Sequence, residues 1–173
     1  MRTGGAIAGA TAVAVTVIGG LGAPPARAVT DEMPINGTFI ARSMGDWAQT
    51  RDSYHNEATV TSTWTINSTC TTPTDCTGQV MSDQGWTVPL RWFGGAWEIQ
   101  RDIPNWEPCE DGTAYTGHQI IRFWGVDDVG MILTRQSQAI QFAGQDRTYG
   151  PSGGCGINNR QEITMPFTMR KVA

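Results

Sequence analysis

Hydrophobic and polar residues alternate one by one along much of this chain, and a period of two is the signature of half-buried β-strands. Between Glu57 and Asn67 the even positions carry Ala58, Val60, Ser62, Trp64 and Ile66. The odd positions carry Thr59, Thr61, Thr63 and Thr65. β-Branched threonines suit the wet face of such a strand. Ile163, Met165, Phe167 and Met169 alternate with polar residues or proline near the C-terminus. Thr38–Met44 and Asp46–Thr50 supply the first strands, and Thr116–Val126 reads as a strand apolar on both faces. Val129–Phe142 changes parity near Arg135–Ala139, which predicts a strand with a β-bulge, entered through a turn at Asp127-Asp128. Gly144–Asn159 reads as a long glycine-rich loop.

One hairpin can be set in register from the pattern alone. Trp86, Val88, Leu90 and Trp92 share a face, and Gly94-Gly95 supplies a two-residue turn. Pairing Phe93 with Ala96 sets Trp92 opposite Trp97 and Leu90 opposite Ile99. On the other face it sets Arg91 opposite Glu98. Apolar pairs and an opposite-charge pair agree on one register. Pro89 has no N–H for a ladder, so its strand is expected at an edge or locally irregular. The same register brings Arg101 to the apolar side. There it is expected at the rim with its head in water, the alternative being a charge aimed into a cavity.

These segments amount to about eight or nine short strands joined by tight turns. The expected fold is all-β: an antiparallel meander closed into a lipocalin-like barrel or, as the alternative, folded as a β-sandwich.

The first residues change the setting. Arg2 precedes an Ala/Gly/Val run from Ala6 to Leu21, then Pro24-Pro25, then Ala26-Arg27-Ala28. This reads as a secretory signal over residues 1–28, with a retained anchor as the alternative. A tail follows over 29–36, and a single β-domain spans 37–173. No later segment is apolar enough to span a bilayer. The chain's net charge of −4 becomes −6 once Arg2 and Arg27 leave with the signal, and Lys171 is the sole lysine. Without a basic stripe, nucleic-acid binding is not expected.

In an oxidising compartment, Cys70, Cys76, Cys109 and Cys155 are expected to form two disulfides. Of the three possible pairings, which the sequence alone does not decide, the short loop around Pro73 favours Cys70 with Cys76, leaving Cys109 with Cys155. A metal site is the weaker reading, because no Cys-x-x-Cys is present and His55 and His118 lie far from the cysteines.

No catalytic motif emerges. Neither histidine stands in a nucleophile or metal pattern, and the acid pairs Asp31-Glu32, Glu110-Asp111 and Asp127-Asp128 fall at the mature N-terminus or in turns. No cofactor is indicated. Of seven tryptophans, Trp64, Trp86, Trp92 and Trp97 fit core faces. Trp47 and Trp106 lie near turns, where exposed rings could stack on a sugar or an acyl chain, and Trp124 is ambiguous. Candidate ligand-contacting residues are therefore Trp47, Trp106, Trp124, Arg101 and His118. Asn36-Gly-Thr38 and Asn67-Ser-Thr69 fit the N-glycosylation pattern.

Gly45-Asp46-Trp47 resembles the Gly-x-Trp of lipocalins. A larger set is Ser68-Thr-Cys70, Cys76-Thr-Gly78, Gly85-Trp86, Pro89-Leu90, Trp92, Gly95-x-Trp97, Cys109, Gly154-Cys155-Gly156 and Pro166-Phe167. It resembles small secreted actinobacterial, especially mycobacterial, proteins and the extracytoplasmic regions of some receptor-type Ser/Thr kinases. That resemblance implies secretion and a disulfide-linked β-domain, and it offers no catalytic residue. The expected function is non-catalytic binding of an apolar or amphipathic envelope ligand, such as a lipid. The alternatives are a module binding envelope carbohydrate or protein, and a hydrolase built around His118 or His55.

Overall fold

Strand alternation becomes a closed wall. The computed structural model describes residues 32–172, so the expected signal segment lies outside the described residues. Ten strands form one sheet: β1 (Gly37–Ser43), β2 (Gln49–Thr50), β3 (Ser53–Tyr54), β4 (Val60–Thr72), β5 (Asp75–Ser82), β6 (Thr87–Phe93), β7 (Ala96–Pro108), β8 (Ala114–Val126), β9 (Gln141–Tyr149) and β10 (Glu162–Lys171). From β4 to β10 each strand pairs antiparallel with the next. β1 pairs with β4 on one side and β10 on the other, which closes a barrel of eight strands. Closure gives each of the eight a paired neighbour on both sides, so none is an edge strand over its whole length. The β2–β3 hairpin is attached to β10 through Gln49 and Thr164. The barrel reading holds, and the sandwich does not.

The glycine-turn hairpin has the register that its side chains dictate: Phe93–Ala96, Trp92–Trp97, Arg91–Glu98 and Leu90–Ile99. Trp92 and Trp97 pack edge to face at 5.5 Å. On the outer face Glu98 is only 5% exposed. It accepts hydrogen bonds from Arg91 and Gln100, and Arg122 Nε lies 3.4 Å away. Pro89 sits inside the wall, not at an edge. The β6–β7 ladder stops at Leu90–Ile99, one residue short of it, while β6 stays paired to β5 through Gln79–Pro89. Beyond that point β7 is held only by β8.

The stretch after β8 differs from expectation. Residues 129–140 form no strand; they contain one isolated bridge, Val126–Ile132, and a 3-10 turn over Gln136–Gln138. The parity change reflects a loop and not a bulge. Asp127 Oδ1 accepts the N–H groups of Val129 and Met131, Gly130 takes φ 85°, and the apolar Val129 and Met131 face outward. Gln136 and Ala139 are the buried residues here, and Gln136 Oε1 accepts the Gly125 N–H at 2.6 Å. Conversely, the expected loop at 144–149 is most of β9. Gly144 is a strand residue because a Cβ there would lie 2.0 Å from the Arg122 carbonyl oxygen, so only glycine lets β8 approach. The expected strand at Asp46–Thr50 is split: Asp46 and Trp47 belong to a 3-10 turn, Gly45–Trp47, and Gln49 and Thr50 form β2.

The interior divides along the barrel axis. At one end Phe39, Ile66, Val80, Leu90, Trp97, Phe142 and Met169 fill the lumen. Met33 and Ile35, in the segment preceding β1, are buried with them. Ile35 is fixed by reciprocal 2.8 Å hydrogen bonds with Ser68 Oγ. Across the middle, Trp64 stacks on Phe167 at 5.3 Å, and Phe123 packs on both. Both expected disulfides are present, Cys70–Cys76 across the β4–β5 turn and Cys109–Cys155 between the β7–β8 turn and the segment after β9.

Candidate functional site

Beyond the Trp64–Phe167 layer the lumen is open. A cavity of about 420 Å3 lies there, a volume within the range of small-molecule pockets. Its floor and walls are largely apolar, from Trp64, Trp86, Ile103, Ile121, Met165 and Phe167. Two irregularities in the wall shape its mouth. The first is the end of the β6–β7 ladder at Pro89, past which Trp86 and Arg101 face the lumen. The second lies in β7, whose inward residues run Trp97, Ile99, Arg101 and Ile103. The register then slips between Ile103–Gly117 and Glu107–Tyr115, with Asn105 at φ 54°. Past the slip the even-numbered Trp106 turns toward the cavity. Its ring lies over Gly117, where a Cβ would come within 2.6 Å of it.

One wall is polar. Arg101 Nε donates to Gln119 Oε1. Gln119 Nε2 donates to both oxygens of Asp146, at 2.9 Å each. Ser43 Oγ donates to Asp146 Oδ2 at 2.6 Å. Asp146 is 1% exposed, and burial pushes its carboxyl above the usual range, against the opposing effects of Ser43, Gln119 and Arg101. Burial lowers the Arg101 pKa, and the field of Asp146 opposes this. The Arg101 guanidinium also sits 4.7 Å from the Trp86 ring centroid, a cation–π distance.

The structure brings two of the five candidate residues together here, Arg101 and Trp106. Arg101 corrects the reading of an arginine with its head in water, since it points into a cavity and is partly buried. Trp47 sits on the 3-10 turn, 66% exposed, away from the cavity lining. Trp124 and His118 occupy the outward face of β8, opposite in parity to the inward Gln119, Ile121 and Phe123. His118 Nδ1 lies 2.9 Å from Asp102 Oδ1, and its ring packs edge-on to Tyr149 at 5.3 Å. His55 pairs with Glu57 at 2.9 Å.

Ser43, Gln119 and Asp146 were absent from the sequence reading. A signal for them exists: each is a polar residue at an inward position, Gln119 in phase with Ile121 and Phe123, Asp146 in phase with Phe142. Assigning 144–159 to a loop hid the last. Beside the mouth lies a second concavity of about 890 Å3, bordered by Glu107, Glu110, Asp111 and the Cys109–Cys155 bridge. Trp106, Glu57 and Ile163 line both. Among the described residues no cluster of His, Cys, Asp or Glu is arranged to hold a metal ion.

No family model matches this chain, and no curated protein matches it. Among solved structures it is similar to the monomer form of the M. tuberculosis PknI sensor domain. The TM-score is 0.57 at 12% identity, covering 82% of this chain and 89% of that one. At this identity the likeness establishes a shared fold. Two disulfides fit an extracytoplasmic location, and no helix among the described residues is long and apolar enough to cross a membrane.

Proposed function

We propose that this protein is a secreted, non-catalytic binding domain that takes an apolar or amphipathic ligand, such as an envelope lipid, into the open end of its barrel. The observation that carries this reading is the half-filled lumen. Side chains plug one end, while the other holds an aromatic-lined cavity whose mouth is set by Pro89 and the β7 slip. Apolar walls with a few convergent polar groups are the usual make-up of a small-molecule site. The likeness to a kinase sensor domain fits a domain whose task is recognition.

The test is native mass spectrometry of the protein purified from its own host, alongside Ala58→Trp. Ala58 lines the cavity and is solvent-exposed, so a bulky ring there should block entry without disturbing the core. The expected result is a co-purifying amphiphile on the wild type and none on the variant. A wild type that carries nothing, and takes up no apolar probe in vitro, overturns the reading.

A further inference from the structure

We propose that the ligand is a singly charged, carboxylate-bearing amphiphile, its head group held by the free edge of the Arg101 guanidinium; this rests on the cavity reading above. Arg91 and Arg122 have Glu98 as counter-charge, Arg135 has Glu32, and Arg147 and Arg160 have Glu162. Arg42, Arg51 and Arg170 have no such partner but are solvent-exposed and away from the cavity, whereas Arg101 lines it. Among the described residues Arg101 makes no ion pair, and its hydrogen bonding is limited to Nε with Gln119. The N–H groups of Nη1 and Nη2 have no hydrogen-bond partner among the described residues. A guanidinium edge matches the two oxygens of a carboxylate, with two parallel hydrogen bonds. Since Gln119 occupies Nε, the edge that remains is Nη1–Nη2.

The neighbouring acid does not fill this role. Both oxygens of Asp146 are already engaged by Ser43 and Gln119. Gln119 stands between the charges, its carbonyl oxygen accepting from Arg101 and its amide nitrogen donating to Asp146. This relay fixes the amide's orientation and leaves the cationic side as the one with unused donors. One cation beside one buried acid also favours a single negative charge over a doubly charged phosphate monoester. Trp64, Trp86, Ile121 and Phe167 then offer apolar contact to a hydrocarbon tail.

The experiment is titration of the oxidised protein, below micellar concentrations, with decanoate, decanol and decyltrimethylammonium. Wild type, Arg101→Gln and Arg101→Lys are compared, and thermal melts report folding. Wild type is expected to bind decanoate roughly ten- to hundredfold more tightly than decanol, the worth of a charge-assisted hydrogen-bond pair. Arg101→Gln should abolish that preference, and Arg101→Lys should keep part of it. Equal binding of decanoate and decanol by wild type, a preference that survives in Arg101→Gln, or tighter binding of the cationic amphiphile overturns the proposal; decanol binding would still uphold the cavity. Binding of none of the three removes both. Should Arg101→Gln fail to fold, the wild-type comparison and Arg101→Lys decide alone.

Discussion

Asp146 is a carboxylate inside a barrel, held by a hydroxyl and an amide. Replacing it with alanine leaves Ser43 and Gln119 without their acceptor, which should cost about 1–3 kcal/mol, read from the shift in urea midpoint. Its ionisation has a definite sign. Burial raises its folded-state pKa above the ordinary 3.8, so the folded protein holds the proton more tightly than the unfolded chain. Its contribution is therefore complete below that ordinary value and is lost as pH rises through the folded-state pKa. Glu162 runs the other way. Its hydrogen bonds from Arg147 hold its pKa below the ordinary 4.5, so its contribution is present above that value and is lost as pH falls through the folded-state pKa. Denaturation midpoints across pH should show Asp146→Asn removing the first dependence while sparing the second.

At the scale of elements, irregularities do the shaping. The slip in β7 and the bare Cα of Gly117 place the Trp106 ring at the mouth. Gly117→Ala should displace that ring and change ligand affinity several-fold, while the stability read from the urea midpoint falls by no more than the cost of an overpacked contact, about 1–3 kcal/mol. Trp fluorescence of the free and loaded protein would report it. Gly144→Ala meets backbone, which cannot swing aside, so it should weaken the β8–β9 pairing and give the larger loss of stability. These elements also show what the amino-acid pattern conveys. The β6–β7 register was readable because turn, apolar pairs and charge pair all agree. Arg101 was placed on the correct face but given the wrong surroundings. A strand's parity says which side a residue faces, not whether the lumen there is filled. β9 was missed because Gly144 reads as a breaker, when its role is to admit a neighbouring backbone. The Val129–Ile140 loop reads as a strand because its apolar residues look like core, yet Val129, Met131, Ile132 and Ile140 are exposed and only Ala139 and part of Leu133 pack inward.

For the whole molecule, closure and cross-links work together. Cys109–Cys155 spans 46 residues in sequence, and Cys70–Cys76 spans 6. Loop-closure entropy assigns the long bridge about 4 kcal/mol and the short one about 2 kcal/mol. Replacing Cys109 and Cys155 together by serine should therefore lower the urea midpoint more than the same change at Cys70 and Cys76. The long bridge also borders the concavity beside the mouth, so its loss should loosen ligand retention as well. The pairing of β1 with β10 has a further consequence. Gly37 and Lys171 lie side by side at the plugged end, while Ser43 and Ile163, at the other ends of the same strands, line the cavity. The described segment before β1 and the end of β10 therefore both leave the barrel at its base, and the entrance opens at the opposite pole.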